Sequence, residues 1–362
     1  MNEILDKFRG CLIGGAVGDA LGYPVEFMSE RMIFQKYGKN GITDYKLTKG
    51  KAIISDDTQM TLFTANGLIY GLTQKAIGKF DGDISDYIYK AYMDWLSTQT
   101  GYKNNERISW LIDIPELHAN RAPGITCISA LSSGKRGNLD NFLNNSKGCG
   151  GVMRVAPIGL YYKYLPLDGA VLSADVSAIT HGHELGYKPS AVFSYLLYNL
   201  LYSENVSFES AVAEILTLCD KIFINKKYND YLNKLIIDAL HLANTSTNDL
   251  NAIHKLGEGW VAEEALAIAL YCSFKYKDDF EKAIITAVNH NGDSDSTGAI
   301  TGNILGTYLG LSSIPDKFKK NLELYDTIIE IADDLYSTSR TIFPKPPFNK
   351  EWTEKYINAK KV

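Results

Sequence analysis

Cysteine is scarce and scattered. Cys11, Cys127, Cys149, Cys219 and Cys272 lie far apart with no C-x-x-C, and five cannot pair fully within one chain. That excludes a disulfide scaffold and points to a reducing compartment with buried thiols. Basic charge is also short: 37 lysines and arginines against 42 acids leave a net charge of −5. A broad nucleic-acid interface wants a basic surface, so no nucleic-acid partner is expected. Long apolar runs are missing. Residues 191–202 carry Ser194, Asn199 and several tyrosines, too short and too polar a stretch to span a bilayer. The apolar stretch 11–17 follows Glu3, Asp6 and Arg9, unlike the net positive start of a secretory signal. A cytoplasmic protein with no membrane partner is the expectation. No Pro- or Ser-rich linker and no repeat of solenoid period divides the chain, so residues 1–362 read as one domain.

Clean alternating strands are nearly absent as well, and what replaces them is helical. The first segment, 2–18, places Phe8, Leu12 and Ala16 on one side at spacing four. Further helical patterns fall at 58–71, 85–97, 125–132, 170–181, 188–203, 207–223, 228–243, 260–274, 278–289, 296–311 and 319–337, most closing near Gly, Asn, Asp or Lys. Residues 42–54 read either as a short hairpin or as a loop, given Gly41 and Gly50. The tail from Thr341 to Val362, with three prolines, is expected to wrap over the surface. The fold class is all-α, a compact multi-helix bundle.

Three segments concentrate carboxylates beside small residues. They are Gly18-Asp19-Ala20-Leu21-Gly22 with Glu26, Ser55-Asp56-Asp57-Thr58, and Gly292-Asp293-Ser294-Asp295-Ser296-Thr297-Gly298. For the second or third alone, helix capping explains the residues as well as any chemistry does. A cap needs one acceptor, however, and Asp-Asp and Asp-Ser-Asp-Ser supply several. If the segments meet, four or five carboxylates crowd together and stay ionised only with cations between them. Oxygen donors without His or Cys select a hard ion, Mg²⁺ or Mn²⁺, with Ca²⁺ also compatible. Two adjacent ions balance four carboxylates, and two-metal sites orient substrate oxygens and activate water.

Glycine supports the convergence. Gly10, Gly14, Gly18 and Gly22 recur every fourth residue, and so do Gly298, Gly302, Gly306 and Gly310. On a helix that spacing makes a ridge without side chains. Each such glycine costs about 0.5–1 kcal/mol against alanine, and close backbone approach is the usual return. A second glycine cluster, Gly148-Cys149-Gly150-Gly151-Val152-Met153-Arg154, is a loop feeding a helix at Pro157. It reads either as an anion-holding loop or as a flexible entry to a core helix. Arg154 there either reaches a phosphate or pairs with a structural carboxylate. His181 and His183 have the wrong spacing for a helical metal pair, and His181 is read as structural or ribose-contacting. Trp260 is core or cleft wall. Cys149 has no neighbouring base, so a nucleophile is not expected.

Taken together, these segments, with Thr180-His181-Gly182, resemble the ADP-ribosylglycohydrolase family, in family order over nearly the whole chain. Arg121-Ala122-Pro123-Gly124, Gly148-Cys149-Gly150 and the unbroken 292–298 run look like its ADP-ribosylarginine hydrolase branch, while Val155-Ala156-Pro157 looks more like the bacterial glycohydrolase of dinitrogenase reductase. The resemblance implies an all-α bundle with two Mg²⁺ ions in a cleft. It implies Ser55, Asp56, Asp57, Asp293, Asp295 and Ser296 as metal ligands. Catalytic roles are expected at Asp56, Asp57 and Glu26, Asp56 taking a proton from water. Glu26 and Asp19 are candidates for an acidic cleft mouth. Substrate contacts are expected from Gly148, Cys149, Gly150, Gly151, Met153 and Arg154, and from Arg121, His181 and Trp260. The expected activity is Mg²⁺-dependent hydrolysis of the N-glycosidic bond between ADP-ribose and a protein arginine, the partners being an ADP-ribosylated protein and the ADP-ribose product. The alternatives are another ADP-ribosyl linkage or metabolite on the same scaffold, or an immunity protein that neutralises an ADP-ribosylating toxin.

Overall fold

The structure, a computed structural model, describes residues 2–203, 207–339 and 346–358. Helix dominates it, and among the described residues no helix is long and apolar enough to cross a membrane. At its centre lies the first helix, Glu3–Gly22, buried on all sides from Gly10 to Gly22. A helix buried all round has no polar face to offer water, and its sequence shows none beyond the first turns.

Its partner is Ser294–Leu309, likewise buried over Ser294–Thr307. The two run antiparallel with their glycine ridges face to face. A Cβ added to Gly298 would stand 2.6 Å from Gly18 O, and one on Gly14, Gly302, Gly10 or Gly306 would meet the facing glycine's carbonyl oxygen closer still. Real Cβ atoms do not come within 3.0 Å of such a neighbour. Gly10 faces Gly306, Gly14 faces Gly302, Gly18 faces Gly298, and Gly22 meets Ser294 and Asp295. The periodicity thus sets both the distance between the helices and their register. Asn303 adds one polar tie, donating from Nδ2 to Cys11 O at 2.8 Å.

A third buried helix, Asp56–Ala76, begins at the same end of this pair. It is preceded by a two-stranded antiparallel hairpin, Leu47–Thr48 with Lys51–Ala52, so the hairpin reading of 42–54 holds and the loop reading does not. Lys49 and Gly50 both take positive φ, as a two-residue primed turn requires.

Several expected helices change at their ends. The 207–223 segment is two helices, Phe208–Ile215 and Leu218–Ile222. The 319–337 segment is also two, Asp316–Lys319 and Tyr325–Ser339. The second break has a tertiary cause. Ala52 N donates to Asn321 O at 2.8 Å, and Glu323 N donates to Ala52 O at 3.0 Å, so residues 321–323 pair with the hairpin instead of continuing a helix. Glu30–Tyr37 and Asp249–Leu256 are helices the periodicity did not mark. Within the tail, 341–345 and 359–362 lie outside the described residues. The rest does not merely wrap the surface: Lys350–Tyr356 is a helix that buries Trp352 and Tyr356, with Trp352 Nε1 donating to Thr73 Oγ1 at 3.2 Å.

Replacing Gly302 with leucine puts a four-carbon side chain into the Gly14 backbone. We expect a loss of about 3 kcal/mol or more, the upper range for overpacking. Urea denaturation checks it, with a leucine at an exposed position of the same helix class as control. A Gly302→Leu protein of unchanged midpoint would show that the ridge contact does not govern the packing.

Candidate active site

Asp56, Asp57, Asp293 and Asp295 reach one cleft from the starts of two helices, and Glu26 reaches it from the end of a 3-10 turn. Ser55 caps Asp56–Ala76 by accepting Asp57 N–H at 3.2 Å, which places Asp56 and Asp57 in the first turn. Asp293 caps Ser294–Leu309, accepting Ser296 N–H at 3.2 Å, and Asp295 accepts the same N–H at 3.1 Å. The glycine register sets Gly22 against Asp295, and the short 3-10 turn Tyr23–Val25 then delivers Glu26 beside it. The two helix starts are joined directly: Ser296 Oγ–H donates to Asp57 Oδ2 at 2.8 Å. Asp56 Oδ2 accepts Gly124 N–H at 3.1 Å, tying in the 121–124 loop.

The cleft encloses about 370 Å³. Glu26, Asp56, Asp57, Asp293, Asp295 and Ser296 line it on one side of its chemistry; Ala122 to Cys127, Gly148 to Gly150, Met153 and His181 supply the rest. Phe27 and Trp260 stack at its mouth, ring centroids 5.9 Å apart.

The electrostatics are uncompensated. Cations on neighbouring loops are committed elsewhere, Arg121 to Glu323 at 3.2 Å and Lys147 to Glu263, and among the described residues none of the cleft carboxylates has an ion pair. Burial pushes Glu26 up to about 9, with the charges of Asp293, Asp56 and Asp19 adding to it. Burial likewise pushes Asp56 up to about 8; the Gly124 N–H opposes the shift, and Asp19 and Asp293 reinforce it. Asp57 and Asp295 are held well above the carboxylate range by burial first and by the other carboxylates second. Glu26 Oε2 is buried with no hydrogen-bond partner. A crowd of carboxylate oxygens, one of them without a hydrogen-bond partner, has the donor chemistry a hard cation takes. The donors fit such an ion in kind, all oxygen. Among the described residues, no three acidic, His or Cys side chains already close on one point as a cage.

The glycine loop is held by a strap formed by residues 258–262. Cys149 N donates to Trp260 O at 3.2 Å, Ala262 N to Lys147 O at 2.9 Å, and Asp293 N to Glu258 O at 2.9 Å. Glu264 organises the strap's turn, accepting Glu258 N–H at 3.0 Å and Gly259 N–H at 3.3 Å. The Asp293 loop, the aromatic mouth and the glycine loop are therefore one hydrogen-bonded unit. Cys149 Sγ–H donates to Asp293 Oδ2 at 2.7 Å, and burial together with Asp293 and Asp57 holds the thiol well above its ordinary value, which keeps it protonated.

Five expected residues sit elsewhere than the sequence suggested. Arg154 does not reach the cleft: fully buried, it donates to Val176 O at 3.1 Å and Thr180 Oγ1 at 2.7 Å and lies over the Tyr92 ring. The Arg121 side chain turns to Glu323 and to Ile54 O, so only its loop backbone borders the site. Asp19 is no mouth residue; it lies beneath, fully buried, accepting Ser55 N–H at 2.9 Å and Thr58 N–H at 3.1 Å. Gly151 packs against Ser177, not the cleft. The Ser55 hydroxyl is buried and engaged as the helix cap. Reasoning from residues missed Phe27, 73% exposed, and Ile125, 87% exposed, at or beside the mouth. Phe27 lies outside any periodic segment and Ile125 is the first residue of its helix, so neither position carries a signal that separates mouth from core.

The comparisons with known proteins follow this geometry. The family model described as ADP-ribosylglycohydrolase matches residues 1–343. An uncharacterized protein of Archaeoglobus fulgidus is 30% identical over 342 residues, 91% of this chain and 96% of its own. The ADP-ribosyl-[dinitrogen reductase] glycohydrolase of Rhodospirillum rubrum is 24% identical, covering 89% of this chain and 92% of its own. The ADP-ribosylarginine hydrolase Tri1 of Pseudomonas putida is 23% identical, covering 92% and 79%. A solved structure described as an ADP-ribosylglycohydrolase-related protein complex superposes with a TM-score of 0.63 at 24% identity, over 94% of this chain and 100% of that one.

The raised carboxylates give the ligand-free protein a defined pH response. With Glu26 at about 9 and Asp56 at about 8, the folded chain keeps protons that the unfolded chain has released above about 4 to 4.5. The folded state binds more protons, so stability falls as pH rises through that window. Urea midpoints measured in chelator from pH 5 to pH 9 check this. Replacing Asp295 with asparagine should flatten the decline, and a midpoint that rises with pH would contradict the burial account.

Proposed function

The chain belongs to the ADP-ribosylglycohydrolase family, and on that premise we propose that it removes ADP-ribose from modified arginine side chains of proteins, with two Mg²⁺ ions held at its acidic cleft. The observation that carries the reading is the set of buried carboxylates, without a cationic partner among the described residues, that line one wall of the cleft. Asp56, Asp57, Asp293, Asp295 and Ser296 would hold the ions, with Ser55 a sixth donor only if its cap bond is shared. When bound, the ions supply charge compensation, orientation of ribose hydroxyls and acidification of a water.

The remaining work falls to the chain's own groups. Asp56, one oxygen fixed by Gly124 N–H, takes a proton from the attacking water, whose oxygen bonds to the ribose carbon. The electrons of the broken C–N bond go to the guanidinium nitrogen, leaving a neutral guanidine that needs one proton. Glu26 lines the same cleft and is the group we assign to supply it. The glycine loop admits the ADP-ribosyl group without side-chain obstruction.

Arginine is favoured over serine by the mouth. The Phe27 and Trp260 rings, stacked on each other and exposed at the mouth, offer a planar cation an aromatic surface. A serine linkage would not use it. The Pseudomonas putida relative, an ADP-ribosylarginine hydrolase by name, is consistent with that choice.

Matched arginine- and serine-linked ADP-ribosyl peptides at equal concentration with Mg²⁺ test the proposal, release being followed by mass. Faster release from the arginine peptide is expected, and faster serine release would overturn the linkage while leaving the family standing. Asp56→Asn should lower turnover about 100-fold or more. In parallel, Mg²⁺ should raise the melting temperature of the wild type, more at pH 8 than at pH 6, because the ion competes with protons for the same oxygens. Asp57→Asn should abolish that rise.

A further inference from the structure

Arg154 keeps its charge at every pH the protein meets, yet it is fully buried and its hydrogen bonds go to neutral groups, Met60 Sδ, Cys127 Sγ, Val176 O and Thr180 Oγ1. Its guanidinium lies 4.4 Å from the Tyr92 ring centroid and donates to Thr180 Oγ1 at 2.7 Å. Thr180 Oγ1 is in turn 2.8 Å from His181 Nδ1. A guanidinium only donates, so Thr180 Oγ1 accepts there and keeps one proton to give. Among the described residues its candidate acceptors are the imidazole nitrogen and the sulfur of Cys127, and a thiol is the far weaker acceptor. The guanidinium also polarises the hydroxyl toward donating and repels a proton placed on Nδ1. We infer that Arg154 is a positioning residue: through Thr180 it locks His181 in the tautomer that carries its proton on Nε2, a fixed donor aimed at the cleft.

The far side of the ring agrees. His181 lines the cleft. A Cβ on Gly148 would stand 3.3 Å from Nε2, and one on Gly150 would stand 3.0 Å from Cε1. Side chains at either position would crowd the edge that bears the donor, so the glycines leave it open. Burial, and then the Arg154 charge, push His181 down to about 3, which keeps it neutral across the physiological range. A neutral imidazole whose Nδ1 accepts from Thr180 carries its one proton on Nε2. That the donor meets an acceptor oxygen of an ADP-ribosyl group rests on the function proposed above; the tautomer itself does not.

Long-range proton–nitrogen correlation spectra of the full chain with ¹⁵N-histidine read the tautomer directly, His181 being assigned by its loss in His181→Asn. The wild type should show a protonated Nε2 and a bare Nδ1 from pH 5 to pH 8. Thr180→Val removes the hydroxyl and should shift His181 to the Nδ1–H form or a mixture, and weaken ADP-ribose binding about tenfold, roughly one hydrogen bond's worth. Thr180→Ser should restore both. A wild type protonated on Nδ1, or a Thr180→Val protein that keeps Nε2–H unchanged, overturns the lock. If Thr180→Val does not fold, the wild-type tautomer alone decides. A wild type with Nε2–H that binds no ADP-ribose supports the lock and counts against the proposed function.

Discussion

Backbone-to-backbone contact between two helices is the constraint on which the rest of this structure hangs. The ridges of Glu3–Gly22 and Ser294–Leu309 touch through carbonyl oxygens with no side chain between them. Such a contact has one register, because one residue of slippage would drive Ile13, Val17 or Leu305 into the facing backbone. The register then sets the chemistry. It fixes Gly22 against Asp295, which fixes where Glu26 emerges, and it lays Asp19 under the start of Asp56–Ala76. Glycine costs helix propensity at every one of these positions. The return is positional: acidic groups distant in sequence are held by main chain, which cannot change rotamer.

The same arrangement carries an electrostatic cost. Carboxylates at helix starts gain from the positive end of each helix, typically under about 1 kcal/mol apiece at exposed sites. Burying several together costs more than that, as the upward shifts of Glu26, Asp56, Asp57 and Asp295 record. Among the described residues no lysine or arginine relieves them, although Arg154 lies in the neighbouring core with no carboxylate paired to it there. A fold selected for stability alone would have moved one of these charges to the other. Keeping them apart preserves an acidic cleft on one side and a neutral, oriented imidazole on the other.

What could be read from the sequence was whatever depends on spacing. The three acidic segments and the two glycine ridges are spacing statements, and the structure brings those segments together. Side-chain direction is not a spacing statement. Arg154, after three glycines in a run resembling an anion loop, looks like a phosphate ligand; the 3-10 turn Cys149–Arg154 rotates it into the core instead. Asp19 looks equivalent to Glu26, yet the first lies on the inner face of a helix and the second after its end. The break at 320–324 was illegible for another reason: it comes from pairing with Ala52, nearly the whole chain away. Helical periodicity cannot register a competitor for backbone hydrogen bonds that is supplied by a distant hairpin.

The two walls of the cleft also differ in how they are held, and that difference bears on specificity. The acidic wall stands on helix starts packed in the core, fixed by Asp19, Ser296 and the glycine register. The glycine loop and Trp260 belong to loop backbone, held by the 258–262 strap. The strap is nonetheless anchored to the acidic wall at one bond, Asp293 N–H to Glu258 O, and the turn there is tight enough that Gly292, at φ 113°, admits no side chain beside Glu258. Whatever displaces Asp293 must therefore carry the strap with it, and with the strap the mouth aromatic and the glycine loop. The two walls thus share one hydrogen-bonded path, and on the proposed function a change at Trp260 or in the strap reaches the carboxylates through Glu258 and Asp293 without touching them.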